Sequence, residues 1–455
     1  MELKQAISYK DPAGFVVKLE NGYYRYIASG YAREFDHLID SGLYQTLIDQ
    51  KLMVSHQEII VNHEFPGAYK KIFPQQLPFI SYPFEWSYTQ WQQMLLTQVR
   101  INEISLKHGM ILKDASPYNF TFSNEKCLLI DTSSFSFYTD GDPWIAYRQF
   151  CEESLSPFLL MYYKDPLWAK LFKGSINGIS LSFVSAHLPL KTHFNVFCLM
   201  HIHLHSRFKN GTAKTKVAAH GFNSEKLNIL LNTITKNVIR RKQPLLKNSI
   251  WEDYYEKDIE SEQYIADKIK IVTKWLSEIR PEITIDLGAN TGKFTRIAAT
   301  LSRAVYAVES DSYCVDEIYK TNVQAVDNNV TAIVADLADP SPGLGWNNQE
   351  KSPLLQRLNG DMLMALALIH HLCLSRNLPI PFVAQLFSTM TSRFAIVEFV
   401  PKSDPKSKLL LQHKGDIFED YTEECFLNSF KGYFKLVSCY EFDNSLRKLF
   451  LWEKL

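Results

Sequence analysis

The stretch Ile283-Thr-Ile-Asp-Leu-Gly-Ala-Asn-Thr-Gly-Lys-Phe-Thr-Arg-Ile-Ala-Ala299 reads as a buried strand, a glycine-bearing turn and the first turns of a helix. Asp286 falls at the carboxyl end of the strand. Gly288 and Gly292 leave the backbone open to close approach, and Thr291 is placed to cap the helix. That arrangement suits a nucleoside cofactor. The spacing is Asp-x-Gly-x-x-x-Gly and not the Gly-x-Gly-x-x-Gly that cradles a dinucleotide pyrophosphate, which argues against NAD and FAD.

The residues that follow repeat the pattern. Ala304-Val-Tyr-Ala-Val308 is a second apolar run and ends on Glu309-Ser-Asp311, where an acid can accept both hydroxyls of a ribose. Val330-Thr-Ala-Ile-Val-Ala-Asp336 is a third, again ending on a carboxylate, and Asp361 to Leu372 reads as a fourth strand leading into a helix. Phe394 to Val400 supplies a fifth. Runs of this kind predict a parallel sheet. Tyr433 to Ser438 and Arg447 to Trp452 read as an antiparallel pair closing it.

This ordered set resembles the class I S-adenosylmethionine-dependent methyltransferases over residues 250 to 455. The resemblance implies a Rossmann-like α/β domain with a seven-stranded, mostly parallel sheet and S-adenosylmethionine as cofactor. It places Asp286 and Gly288 by the methionine part, Glu309 on the ribose and Asp336 at the adenine, with Asn290 and Gly292 as further contacts. Both acids can also be read as strand ends at a solvated edge. A hydroxyl acceptor needs a base, and His370, His371 and Glu398, at the ends of the fourth and fifth strands, are the candidates, with helix packing as the alternative for the histidines.

At 455 residues the chain fits two domains, divided as 1–245 and 246–455. Net charge is zero, charged residues are 22% and hydrophobic ones 46%, an ordinary globular balance and less basic than a nucleic-acid binder. No apolar run is long enough to span a bilayer, and the first residues do not form a signal peptide. The seven cysteines are scattered without a Cys-x-x-Cys pair, which fits reduced thiols in a cytoplasm and suggests no metal.

In the first half, apolar side chains from Trp91 to Ile104 recur at helical spacing, and Leu112-Lys-Asp114-Ala-Ser-Pro-Tyr-Asn119 follows. Phe120 to Phe122 and Cys127 to Ile130 read as a hairpin running into Asp131. This order resembles the core of the protein kinase and aminoglycoside phosphotransferase folds, in which Asp114 would meet a substrate hydroxyl and Asn119 and Asp131 would hold magnesium with ATP. The resemblance implies an α+β kinase-like domain. It has departures: Leu112 stands in place of His, Thr132 in place of Gly, and there is no glycine-rich loop. Lys18 is the candidate phosphate-binding lysine and Glu34 its partner, and Leu77 to Trp86 reads as a strand and hinge. With Gly141 to Cys151 and Trp251 to Tyr255, the order resembles bacterial two-part methyltransferases of nodulation and polysaccharide loci.

Three further features have a functional and a plainer reading. His201, His203 and His205 would share a face on a strand as metal ligands do, but suit a helix equally. The basic run Lys236 to Lys242 would touch phosphate or, more plainly, be a solvated helix end at the domain junction. Trp251, Tyr254 and Tyr255 would cover the cofactor or staple a linker. The expectation is O-methylation of a small molecule, glycan or natural-product intermediate. The alternatives are a bifunctional kinase-methyltransferase acting on a surface polysaccharide, and a binding protein with a kinase-like scaffold.

Overall fold

The computed structural model describes residues 6–8, 10–60, 65, 67–208, 223–243, 261–325, 328–412 and 417–455. Trp251, Tyr254 and Tyr255 lie outside these. The chain divides into two compact units, one of Met1–Leu245 with Gly343–Lys351, the other of Leu246–Pro342 with Ser352–Leu455.

In the first unit, β1 (Ala6–Ser8), β2 (Gly14–Leu19), β3 (Gly22–Ala28), β4 (His56–Ile59) and β5 (Ala68–Pro74) form an antiparallel sheet in the order β1-β2-β3-β5-β4. Helix Ala32–Asp40 follows β3 and lays Phe35 and Leu38 into the core. A longer helix, Tyr88–Lys107, begins where Ser87 Oγ accepts from the Gln90 amide and Gln90 Oε1 accepts from the Ser87 amide. Next come β6 (Met110–Leu112), β7 (Phe120–Ser123), β8 (Lys126–Leu129) and β9 (Phe135–Phe137), paired as β6 with β9 and β7 with β8. The β7–β8 hairpin turns on Asn124 and Glu125, both at positive φ (48° and 57°), as a two-residue loop with right-twisted strands requires. Leu77 to Trp86 is not a strand: Pro78 and Pro83 cannot donate to a ladder, and only one turn of helix, Pro83–Glu85, forms there. His201 to His205 lie in a helical stretch, Leu199–Leu204 followed by His205–Arg207. Arg241 is not a solvated helix end either. It is buried, and its guanidinium lies over the rings of Phe197, Tyr162 and Tyr163. The segment Gly343–Lys351 belongs here through the ion pair of Glu350 with Lys10 (2.6 Å) and the ammonium of Lys351 over the rings of Tyr82 and Tyr118.

The second unit is a seven-stranded sheet. Its strands are β10 (Ile283–Leu287), β11 (Ala304–Glu309), β12 (Val330–Val334), β13 (Gly360–Ala365), β14 (Thr391–Phe399), β15 (Phe434–Glu441) and β16 (Lys448–Lys454). The order is β12-β11-β10-β13-β14-β16-β15. The first five run parallel, and β16 is antiparallel to both its neighbours. Val330 to Val334 are all buried, as the two covered faces of a parallel strand demand. The β15–β16 register shifts between Leu436 and Ser438, a bulge on the edge strand. Helix Glu262–Ile279, capped by Ser261 Oγ, buries Tyr264, Lys268, Val272, Trp275 and Leu276, one stripe at helical spacing.

Candidate functional site

The strand order reverses between β10 and β13, so the chain leaves the two strands to opposite sides and opens a crevice above their carboxyl ends. A cavity of about 510 Å³ sits there, walled by residues after four strands: Gly288 and Asn290, Glu309 and Ser310, Asp336, and Leu366 to Leu368. The turn after β10 is tight. At Gly288 (φ +71°) a Cβ would press on Leu368 Cδ1 at 3.1 Å in a backbone conformation that side chains disfavour, and at Gly292 (φ +80°) it would meet Ile318 Cγ1 at 2.9 Å. Gly292, not Thr291, occupies the cap position of helix Lys293–Leu301; no side chain caps that helix, because the left-handed backbone there turns the chain in by itself.

Glu309 fastens this turn to the end of β11. Its Oε2 accepts from the Asn290 amide (3.0 Å), and its Oε1 accepts from the amides of Ser310 (2.6 Å) and Asp311 (3.0 Å). Burial raises its pKa, partly offset by these donors. Asp286 is 2% exposed and accepts from Thr295 Oγ1. Burial pushes its carboxyl up to about 6, the Thr295 hydroxyl opposes this, and the charge of Glu309 adds to it. Asp336 accepts from the Ala338 amide and pairs with Arg376, which also lines the cavity.

The three base candidates separate. His371 lines the cavity, with its pKa lowered by burial to about 4. His370 is fully buried with its ring against that of His371, and neither of its nitrogens has a hydrogen-bond partner among the described residues. Glu398 is fully buried and tied to Lys268 Nζ (2.6 Å) and the Tyr264 hydroxyl. Lys268 carries this network to the cavity wall, while Arg447, bonded to Tyr264, is clasped by both carboxylate oxygens of Asp404 (2.8 and 3.1 Å). Sequence reasoning missed Tyr264, Lys268, Arg376 and Arg447. Only the helical spacing of Tyr264 and Lys268 with the apolar stripe hinted at two of them.

In the first unit, Asp114, Asn119 and Asp131 converge on one loop. The Asp114 amide donates to Ser134 O, Asn119 Nδ2 donates to Ser134 Oγ (3.3 Å), and the Ser134 amide donates to Asp131 O. Asp131 faces Arg25 of β3 at 2.8 Å and accepts from the Ser133 amide and hydroxyl. Burial raises its pKa, but Arg25 and Ser133 outweigh this and hold it below the usual value. Lys18 is not the opposing cation: it lies on β2, exposed, with its ammonium over the Tyr23 ring. Glu34, in the first turn of helix Ala32–Asp40, is half-buried. Lys351 adds a second cation: burial lowers its pKa, and Asp131, Glu350 and Asp114 pull the other way. His203 is occupied by Ser185 and Thr192, His201 by Tyr147, and no group of His, Cys, Asp and Glu is placed to hold a metal among the described residues. No helix among the described residues is long and apolar enough to cross a membrane.

No protein-family model matches the chain. It is 28% identical to nodulation protein NoeA of Rhizobium meliloti (strain 1021), with 98% of this chain and 95% of that protein covered. Among solved structures it is similar to the N-methyltransferase NodS of Bradyrhizobium japonicum WM9, with 8% identity, 43% of this chain and 98% of that one covered, and a TM-score of 0.31. The magnesium protoporphyrin IX methyltransferase of Synechocystis PCC 6803 with bound SAM is 17% identical, over 46% of this chain and 93% of that one, with a TM-score of 0.31. The bifunctional kinase-methyltransferase WbdD is 16% identical, over 48% of this chain and 45% of that one, with a TM-score of 0.30.

Proposed function

We propose that the second unit binds S-adenosylmethionine and methylates a hydroxyl of a small molecule, glycan or natural-product intermediate. The observation that carries this reading is Glu309: a carboxylate at the end of the second strand, bonded to the glycine turn and lining the cavity at the switch point. The site fits the cofactor. Gly288 keeps a cradle that a Cβ would fill, and Glu309 Oε2, accepting one amide, keeps room for ribose hydroxyls.

When bound, the cofactor supplies a sulfonium-activated methyl group. The chain's part is to hold the acceptor oxygen in line and exclude water. Of the three candidate bases, His371 is the one we assign, because it alone of the three lines the cavity; burial keeps its imidazole neutral, the form that can accept a hydrogen bond from the acceptor hydroxyl. Glu398 then positions Lys268 at the wall, and His370 packs behind His371.

For the first unit we propose a scaffold built like a kinase core but without magnesium-ATP, because Arg25 and Lys351 already answer the charge of its carboxylates. The likeness to a nodulation protein over nearly both full lengths supports reading the two units as one working chain. Titration calorimetry of the whole protein with S-adenosylmethionine, S-adenosylhomocysteine and magnesium-ATP tests both readings. Binding of the first two and not the third is expected; no heat from either sulfur compound would end the methyltransferase reading.

A further inference from the structure

Residues 164–208 of the first unit depart from the rest of the chain in charge and in surface. Overall, 49 Lys and Arg balance 49 Asp and Glu. Here Lys164, Lys170, Lys173, Lys191 and Arg207 stand against a single acid, Asp165, whose carboxylate is turned to the Leu167 amide as a helix cap. The same stretch, a tenth of the chain, carries nine of the 26 large apolar side chains that stand exposed among the described residues, including Leu190 (82%), Phe194 (91%), Val196 (69%) and Phe208 (69%).

These side chains are not on a loose loop. His203 joins three short helical segments: its Nδ1 bonds to Ser185 Oγ of Leu181–His187 and its Nε2 to Thr192 Oγ1 of Leu190–Phe194, both at 2.8 Å. The His193 ring stacks on His203 at 3.7 Å, and Trp168 of the segment Pro166–Lys173 meets the ring of His187. The apolar side chains are therefore displayed on a packed region.

We propose that this region is a peripheral binding face for an anionic lipid surface. Exposed Leu, Phe, Val and Met in a stretch with five cations and one acid is the composition that inserts apolar groups at the headgroup level while cations meet lipid phosphates. Protein interfaces share the enrichment in Phe and Met, but they are depleted of Lys, and four of the five cations here are lysines, which places a lipid surface first.

The test is cosedimentation of the full-length protein with vesicles of phosphatidylcholine and phosphatidylglycerol, and with vesicles of phosphatidylcholine alone. Binding to the mixed vesicles that weakens with added salt is expected. The pair Leu190→Ser and Phe194→Ser should lower it at least about tenfold, and Lys170→Gln about fivefold. Leu190 and Phe194 are exposed and Lys170 is half-buried, and thermal unfolding followed by circular dichroism should match the wild type for each variant. No binding of wild-type protein to the anionic vesicles, or binding that survives the paired substitution, overturns the proposal. So does a shift from dimer to monomer caused by that pair without lipid, which would give the face to a second copy of the chain.

Discussion

Arg25 Nη1 lies 2.8 Å from Asp131 Oδ1, joining β3 to the loop after β8, with side-chain exposures of 9% and 12%. A buried pair of this kind is worth little against an apolar substitute but costs much to break. Asp131→Asn, which leaves the guanidinium without its charge partner, should destabilise by about 3–5 kcal/mol, and Arg25→Met with Asp131→Leu by far less. Urea unfolding by circular dichroism checks this, and equal midpoints for the single and double variants would count against the pairing.

The cofactor reading has its own pair of variants. Glu309→Ala should weaken S-adenosylmethionine binding by roughly 2 to 4 kcal/mol through lost hydrogen bonds to a charged acceptor. Gly288→Val should be worse, since its Cβ meets Leu368 and its φ of +71° disfavours a branched side chain. Calorimetry that returned wild-type affinity for Glu309→Ala would remove the ribose assignment.

Magnesium-ATP should give no saturable heat with the wild type. Robust phosphate transfer to a hydroxyl acceptor, lost in Asp114→Ala, would reverse the scaffold reading and restore a bifunctional enzyme.

Stability should fall on mild acidification. Burial brings His56, His201 and His371 to about 4. From pH 6.5 down to about 4 the unfolded chain therefore takes up protons that the folded one refuses. Each histidine removes at most about 1.4 kcal/mol per pH unit in that window. Asp286, raised to about 6, and Glu153, raised to about 7, both by burial, work in the opposite sense, since the folded state holds their protons above the ordinary carboxyl range, while His370, lowered well below the usual imidazole value, adds to the three histidines. The net effect is loss of stability as pH falls, and His371→Gln should flatten it. An unchanged slope in unfolding midpoints between pH 7 and 5 for that variant would exclude His371 as a contributor.

The second unit was the more legible in sequence because parallel strands covered on both faces must be apolar almost throughout, and β10 to β14 each appear as such a run. What escaped reading were cations whose partners lie far along the chain. Lys268 reads as the polar side of a helix, yet Glu398, 130 residues later, draws it inside. Arg25 is hidden in the same way: nothing near it in sequence announces Asp131. Thr291 has the chemistry of a cap, but the left-handed turn at Gly292 moves the helix start past it.

The bulge in β15 bears on what happens at high concentration. This strand ends the sheet, and Leu436, Val437 and Cys439 are exposed along it. A straight apolar edge would offer its free amides and carbonyls to the edge of another copy and seed stacking. The irregularity between Leu436 and Ser438 breaks that template, and Lys435 and Glu441 set charges near its two ends. Smoothing the bulge by deleting one residue would convert a guarded border into a site for chain-to-chain sheet growth.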